Sequence, residues 1–176
     1  IIKIKDLKQI DDKFEKFINN YDLDVEKIKS KKIEYLFDKF IIKNDIIMFV
    51  ARPGVGKSLM ALALCNMLLD AGKIERIFYL DGDNSHITIK SRNIELLKNK
   101  FGNKLNYFIE LSDSDMHRII KELKKKDLTD FLIVFDSIKN FIIGDRNSHK
   151  DVTELMNILK ELRNNGASIV FLHHQN

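Results

Sequence analysis

Five short apolar runs punctuate the chain: "DIIMFV" (45–50), "RIFYL" (76–80), "NYFIE" (106–110), "FLIVF" (131–135) and "SIVFL" (168–172). They are near-continuously apolar and mostly β-branched or aromatic, which predicts strands covered on both faces. Helix-length segments lie between them. "SLMALALCNMLLDAG" (58–72) is apolar nearly all round and stops at Gly72, and "SDSDMHRIIKELKKK" (112–126) offers Ser112 or Ser114 as N-cap. "DVTELMNILKELRNNG" (151–166) pairs Asp151 with Glu154 as a capping box and ends at Gly166. This alternation predicts an α/β fold: a parallel β-sheet of at least five strands flanked by helices, joined by right-handed crossovers. Residues 1–37 read differently. They are charged and amphipathic and predict a helical N-terminal arm, leaving 38–176 as the core.

The polar residues that follow the strands form a second pattern. After 45–50 comes "ARPGVGKS", after 76–80 "DGDNS", after 131–135 "DS" and after 168–172 "HHQN". Parallel strands present their carboxyl ends on one edge, and ligands bind in the crevice outside it. Four clusters remote in sequence are therefore expected to converge. The fifth strand ends in "ELSDSD", farther from recognisable chemistry.

Totals narrow the picture only a little. A chain of 176 residues with 44% hydrophobic and 32% charged residues suits one globular core. The formal net charge of +4 accommodates an anionic partner without requiring one. Cys65 is the single cysteine, which excludes an internal disulfide and a zinc site built on several thiolates. No apolar stretch approaches a membrane span and no signal peptide is apparent, so a cytoplasmic setting is expected. The first residue is Ile rather than Met, from which a piece of a longer protein is expected.

"ARPGVGKS" fits Ala/Gly-x-x-x-x-Gly-Lys-Ser/Thr, between a predicted strand and a predicted helix. Gly54 and Gly56 permit backbone conformations in which successive N–H groups turn inward around an anion. The helix N-terminus adds partial positive charge. The expected phosphate-binding stretch comprises Ala51, Arg52, Pro53, Gly54, Val55, Gly56, Lys57, Ser58 and Leu59. Lys57 would reach the β- and γ-phosphates, and the Ser58 hydroxyl would coordinate Mg²⁺.

Asp136, at the tip of "FLIVFD", has the form of a Walker B carboxylate, expected to hold the Mg²⁺ shell through water or through Ser58. "YLDGDNS" is a good turn, yet acids beside a phosphate site need a reason. Asp83 is read as the group that polarises an attacking water, and Asp81 as structural. For the paired histidines, a zinc site lacks partners, because His86, His117 and His149 have no metal-like spacing. An imidazole at a strand end suits sensing of the γ-phosphate. Alternate strand residues point to opposite faces, so only one of His173 and His174 is expected to reach the nucleotide.

With these segments in hand, the chain resembles RecA-like P-loop ATPases, and within them the RepA-type branch, which includes hexameric plasmid replicative helicases. The likeness spans about residues 33–176, through "IEYLFDKFIIKNDIIMFVARPGVGKS", "FYLDGDNS", "FLIVFDSIKNFIIGDRN" and "GASIVFLHH". It implies ATP and Mg²⁺ as ligands, DNA as partner and a homo-oligomeric ring. It also implies catalytic roles for Lys57, Asp83, Asp136 and His174. Asp83 falls where relatives carry a catalytic glutamate, one methylene longer. His174 matches the residue that reports γ-phosphate to the DNA-facing segment. The family's DNA-binding loop, later strands and interface arginine follow this point, so the core is expected to be truncated at its C-terminal side. Arg146 and Arg163 are the nearby arginines, away from the usual place. A loss of that arginine would leave binding intact and hydrolysis feeble. Three readings follow: a DNA-directed ATPase, a nucleotide-dependent switch with little hydrolysis, and a small-molecule kinase for which the sequence offers no lid.

Overall fold

The structure, a computed structural model, describes residues 4–142 and 149–175. The chain divides into two compact units, Ile1–Ile33 and Glu34–Asn176. The first carries α1 (Ile4–Asn19) and α2 (Val25–Lys29), the latter capped by Asp24, whose side chain accepts from Lys27 N at 2.9 Å. The second opens with an antiparallel hairpin of β1 (Tyr35–Phe37) and β2 (Ile41–Ile42). Tyr35–Phe37, read above as part of the arm, lies in this hairpin because Leu36 and Ile41 bury their side chains in the core of the second unit.

Five parallel strands follow: β3 (Ile46–Ala51), β4 (Arg76–Asp81), β5 (Leu105–Ile109), β6 (Phe131–Asp136) and β7 (Ser168–His174). Their spatial order is β3-β7-β6-β4-β5. The expected five-stranded α/β sheet is present, with each run of sequence at its expected place. The helices are α3 (Lys57–Asp70), α4 (His86–Ser91), α5 (Ile94–Phe101), α6 (Asp113–Leu123) and α7 (His149–Asn164). Strand periodicity divides the core in two. On β6, Leu132 and Val134 pack on the α3 side while Ile133 and Phe135 pack with α6 and α7. This double burial explains the apolar runs.

Four details differ from expectation. The strands extend further than their apolar runs, so Ala51, Asp81, Asp136, His173 and His174 are strand residues. Parallel pairing carries these residues, the two aspartates and two histidines among them, to the ends of the ladder. Helices α4 and α5 were not foreseen. They are short, with Ile94 the one buried residue on α5 and none on α4, which leaves little periodic signal. Helix α7 begins at His149, so Asp151 stands in its first turn rather than at the cap, whereas α6 takes Ser112 as its N-cap. Finally, β3 is an edge strand, and Met48 and Val50 are exposed on it, despite an apolar sequence that reads as covered on both faces.

Candidate nucleotide-binding site

The site is built where β3 gives way to α3. Ala51 pairs with His174 across the β3–β7 ladder, and the chain then turns through 52–56 into the helix. Gly54 and Gly56 adopt φ values of 81° and 91°, which side chains disfavour, and a Cβ on either would meet nothing within 4 Å. No side chain caps α3, and its first turn holds no acidic residue. Uncapped amides and the helix dipole together favour an anion at this end.

Lys57 is 8% exposed and closes the loop on itself. Its Nζ donates to Ala51 O at 2.7 Å and to Arg52 O at 2.9 Å, and lies 3.1 Å from His174 Nδ1. An ammonium can only donate, so Nδ1 accepts and the His174 proton sits on Nε2. That nitrogen faces Asp83 Oδ2 at 3.4 Å. His173, one residue earlier, is exposed and faces the other way along the pleat.

Period-two geometry explains why the tips meet. Val134 precedes Asp136, Tyr79 precedes Asp81, and Leu172 precedes His174, each by two residues. All three predecessors pack in the α3-side core. The polar residue beyond each therefore emerges on the face where α3 begins. Asp81 and Asp136 are in register across β4 and β6, and both are 3% exposed.

Two tyrosines, neither singled out by the sequence reading, serve these carboxylates. Tyr79 Oη donates to Asp136 Oδ2 at 2.7 Å, and Tyr107 Oη donates to Asp81 Oδ2 at 2.5 Å. Their rings stack with centroids 4.7 Å apart. Burial pushes both phenols well up from their ordinary range, so they remain hydrogen-bond donors. The signal available in the sequence was parity: Tyr79 lies two residues before Asp81, on the same face.

Asp136 is held above the usual carboxylate range, chiefly by burial, with repulsion from Asp81 and Asp83 adding to it. Hydrogen bonding from Tyr79 and Ser58 favours its ionised form. A hydroxyl and an under-neutralised carboxylate facing each other beside a phosphate loop fit Mg²⁺. That ion commonly takes one or two protein oxygens and fills its shell with water and phosphate. Asp81 is occupied differently. Its Oδ1 accepts from Asp83 N at 3.1 Å and Asn84 N at 3.0 Å, and Asn84 Nδ2 reaches both oxygens at 2.9 Å. Asp83 itself accepts from Asn140 Nδ2 at Oδ1.

The sequence profile of a family described as "AAA domain" matches residues 20–176. This chain belongs to that family. The AAA domain here is of the RecA-like P-loop ATPase kind. It is 28% identical over 123 residues to the DNA repair protein RadA of Campylobacter jejuni, covering 69% of this chain and 26% of that protein. Its fold is similar to that of an ATP synthase subunit, NeqB, from Nanoarcheaum equitans, with a TM-score of 0.50 and 13% identity. That likeness covers 77% of this chain and 40% of the other. The AAA domain thus spans well under half the length of either.

The structure of this AAA domain brings Lys57, Ser58, Asp83, Asp136 and His174 together. Arg52, Pro53, Gly54 and Val55 form the exposed rim of the loop, and Leu59 on α3 is 54% exposed. His86 pairs with Glu110 at 3.2 Å, and His117 Nδ1 faces Asp113 O at 3.0 Å. Arg146 lies outside the described residues. Arg163 is in the last turn of α7, which leads into the start of β7, at the sheet edge opposite the loop. No described helix is long and apolar enough to cross a membrane.

Proposed function

We propose that this domain binds ATP and hydrolyses it in a Mg²⁺-dependent reaction coupled to work on DNA. The setting is the cytoplasm, within a homo-oligomeric ring of the RepA-type branch. The observation that carries this reading is the meeting of Lys57, His174 and Asp83, with Asp136 beside Ser58, at an uncapped helix N-terminus. Loop amides would hold the phosphates, and Lys57 would exchange the Ala51 and Arg52 carbonyls for phosphate oxygens. Ser58 and Asp136 would hold Mg²⁺, which neutralises charge on the β- and γ-phosphates. Asp83 would orient and polarise the attacking water. His174, in contact with both Lys57 and Asp83, would register whether the γ-phosphate is present. The name of the RadA relative, a DNA repair protein, supports DNA as partner.

The test combines nucleotide binding with turnover, with and without single-stranded DNA. Lys57→Ala is expected to abolish nucleotide affinity or turnover. Asp83→Asn is expected to lower kcat by about 10²–10⁴-fold while binding persists. Unimpaired activity in both variants would sink the assignment, and a turnover indifferent to DNA would sink the coupling. A nucleotide-dependent switch with little hydrolysis is the second reading. It is favoured by the shorter reach of Asp83, an aspartate where the resemblance implies a glutamate. Fast turnover by the isolated chain would dispose of it.

A further inference from the structure

The loop after β4 and the turn after β6 are fastened to each other. Gly82 N donates to Asp136 O at 2.6 Å, and Asn140 N donates to Ser137 O at 3.0 Å, closing the 3₁₀ turn Ile138–Phe141. Phe141 anchors that turn, 5% exposed and edge-on to Phe135 at 5.3 Å. Asn140 is thereby set against Gly82. Its Nδ2 donates to Gly82 O at 3.1 Å and also to Asp83 Oδ1. The approach is close: a Cβ on Gly82 would lie 2.9 Å from Asn140 Cβ and 3.4 Å from Phe141 Cζ. Glycine at 82 is what admits the Asn140 side chain.

We infer that Asn140 is a positioning residue for ATP hydrolysis, acting by fixing the rotation of the Asp83 carboxylate. The inference rests on the function proposed above. A carboxylate beyond the end of a strand is free to turn about its last torsion. Asn140 removes that freedom by engaging Oδ1, which commits Oδ2 to the side of His174 and Lys57. A neutral amide suits this task. It holds an anion without adding a cation that would compete for phosphate, or an anion that would repel it. Reactive groups misplaced by about 1 Å lose about 10²-fold in rate, so this constraint bears directly on turnover.

Steady-state ATPase kinetics of Asn140→Ala, Asp83→Asn and the double variant test the inference, alongside ¹H–¹⁵N spectra of the Asn140 side-chain amide. For Asn140→Ala, kcat is expected to fall about 10–100-fold with KM for ATP unchanged. The double variant is expected to be no slower than Asp83→Asn alone, because the two residues act as one unit. Gly82→Ala reaches the same contact from the other side and is expected to reproduce the kcat loss. The Asn140 amide resonances are expected to shift in Asp83→Ala. Wild-type kcat in Asn140→Ala, or a loss that adds in full to that of Asp83→Asn, would overturn the inference. So would amide resonances indifferent to Asp83→Ala, a readout that stands even if a variant is too unstable for kinetics. A wild-type chain without turnover would defeat the proposed function and the hydrolytic role of Asn140 together. A shift of the amide resonances would then show the contact to be structural only.

Discussion

Asp81 and Asp136 stand side by side at the ends of β4 and β6, equally buried, each with one tyrosine hydroxyl on its Oδ2. Only their remaining partners differ. Asp81 accepts from two backbone amides and the Asn84 side chain, all within its own turn. Asp136 has, besides Tyr79, the Ser58 hydroxyl at the start of α3, and burial holds it above its ordinary range. Burial at a strand tip is therefore no guide to chemistry. A carboxylate whose lone pairs are filled by its own loop is a structural post. One left short of donors and aimed at a phosphate loop has capacity for a cation.

The largest test of this contrast is Asp136→Asn. Mg²⁺-dependent turnover is expected to fall about 10–100-fold or more, as when a metal site loses a supporting oxygen. Thermal melts should show the variant more stable than wild type at neutral pH. The sign follows from the raised folded-state value: folding favours the protonated acid. Keeping Asp136 charged thus costs stability above that value, and the cost vanishes below the unfolded-state value. The gap between the two melting curves should therefore close as pH falls through the carboxylate range. A variant less stable than wild type at neutral pH would break the comparison.

Asp81→Asn should behave in the opposite sense. Turning one acceptor oxygen of this buried carboxylate into a donor leaves half-buried N–H groups of the turn without an acceptor, at a cost of about 3 kcal/mol. Chemical denaturation should register that loss, while the Mg²⁺ dependence of nucleotide binding stays as in wild type. The smallest effect is expected from Tyr107→Phe, which removes a single hydrogen bond to a charged group. A loss of about 1.5 kcal/mol is expected from the same denaturation curves. A loss as large as that of Asp81→Asn would mean that the Asp81 turn depends on the tyrosine and not on its own amides.

Much of the fold was legible in the sequence because a sheet covered on both faces writes itself as unbroken apolar runs. The glycine loop was legible because its backbone demands leave few residue choices. The edge strand β3 was misread in its exposure because "DIIMFV" is as apolar as an inner strand. Helices α4 and α5 escaped because almost nothing on them is buried. Tyr79, Tyr107 and Asn140 escaped for another reason. A tyrosine in an apolar run reads as core, and an asparagine after a strand reads as a turn. Their partners lie 57, 26 and 57 residues away in the chain.

The order of residues thus decided which segments are strands, which loop can cradle an anion, and that polar tips would gather on one edge. Those are local matters of periodicity and backbone freedom. Which acid is saturated and which is left short was decided only by folding, because that depends on donors brought from neighbouring strands and from the first turn of α3. Register and proximity, not composition, separate Asp81 from Asp136 and hand Asp83 to Asn140.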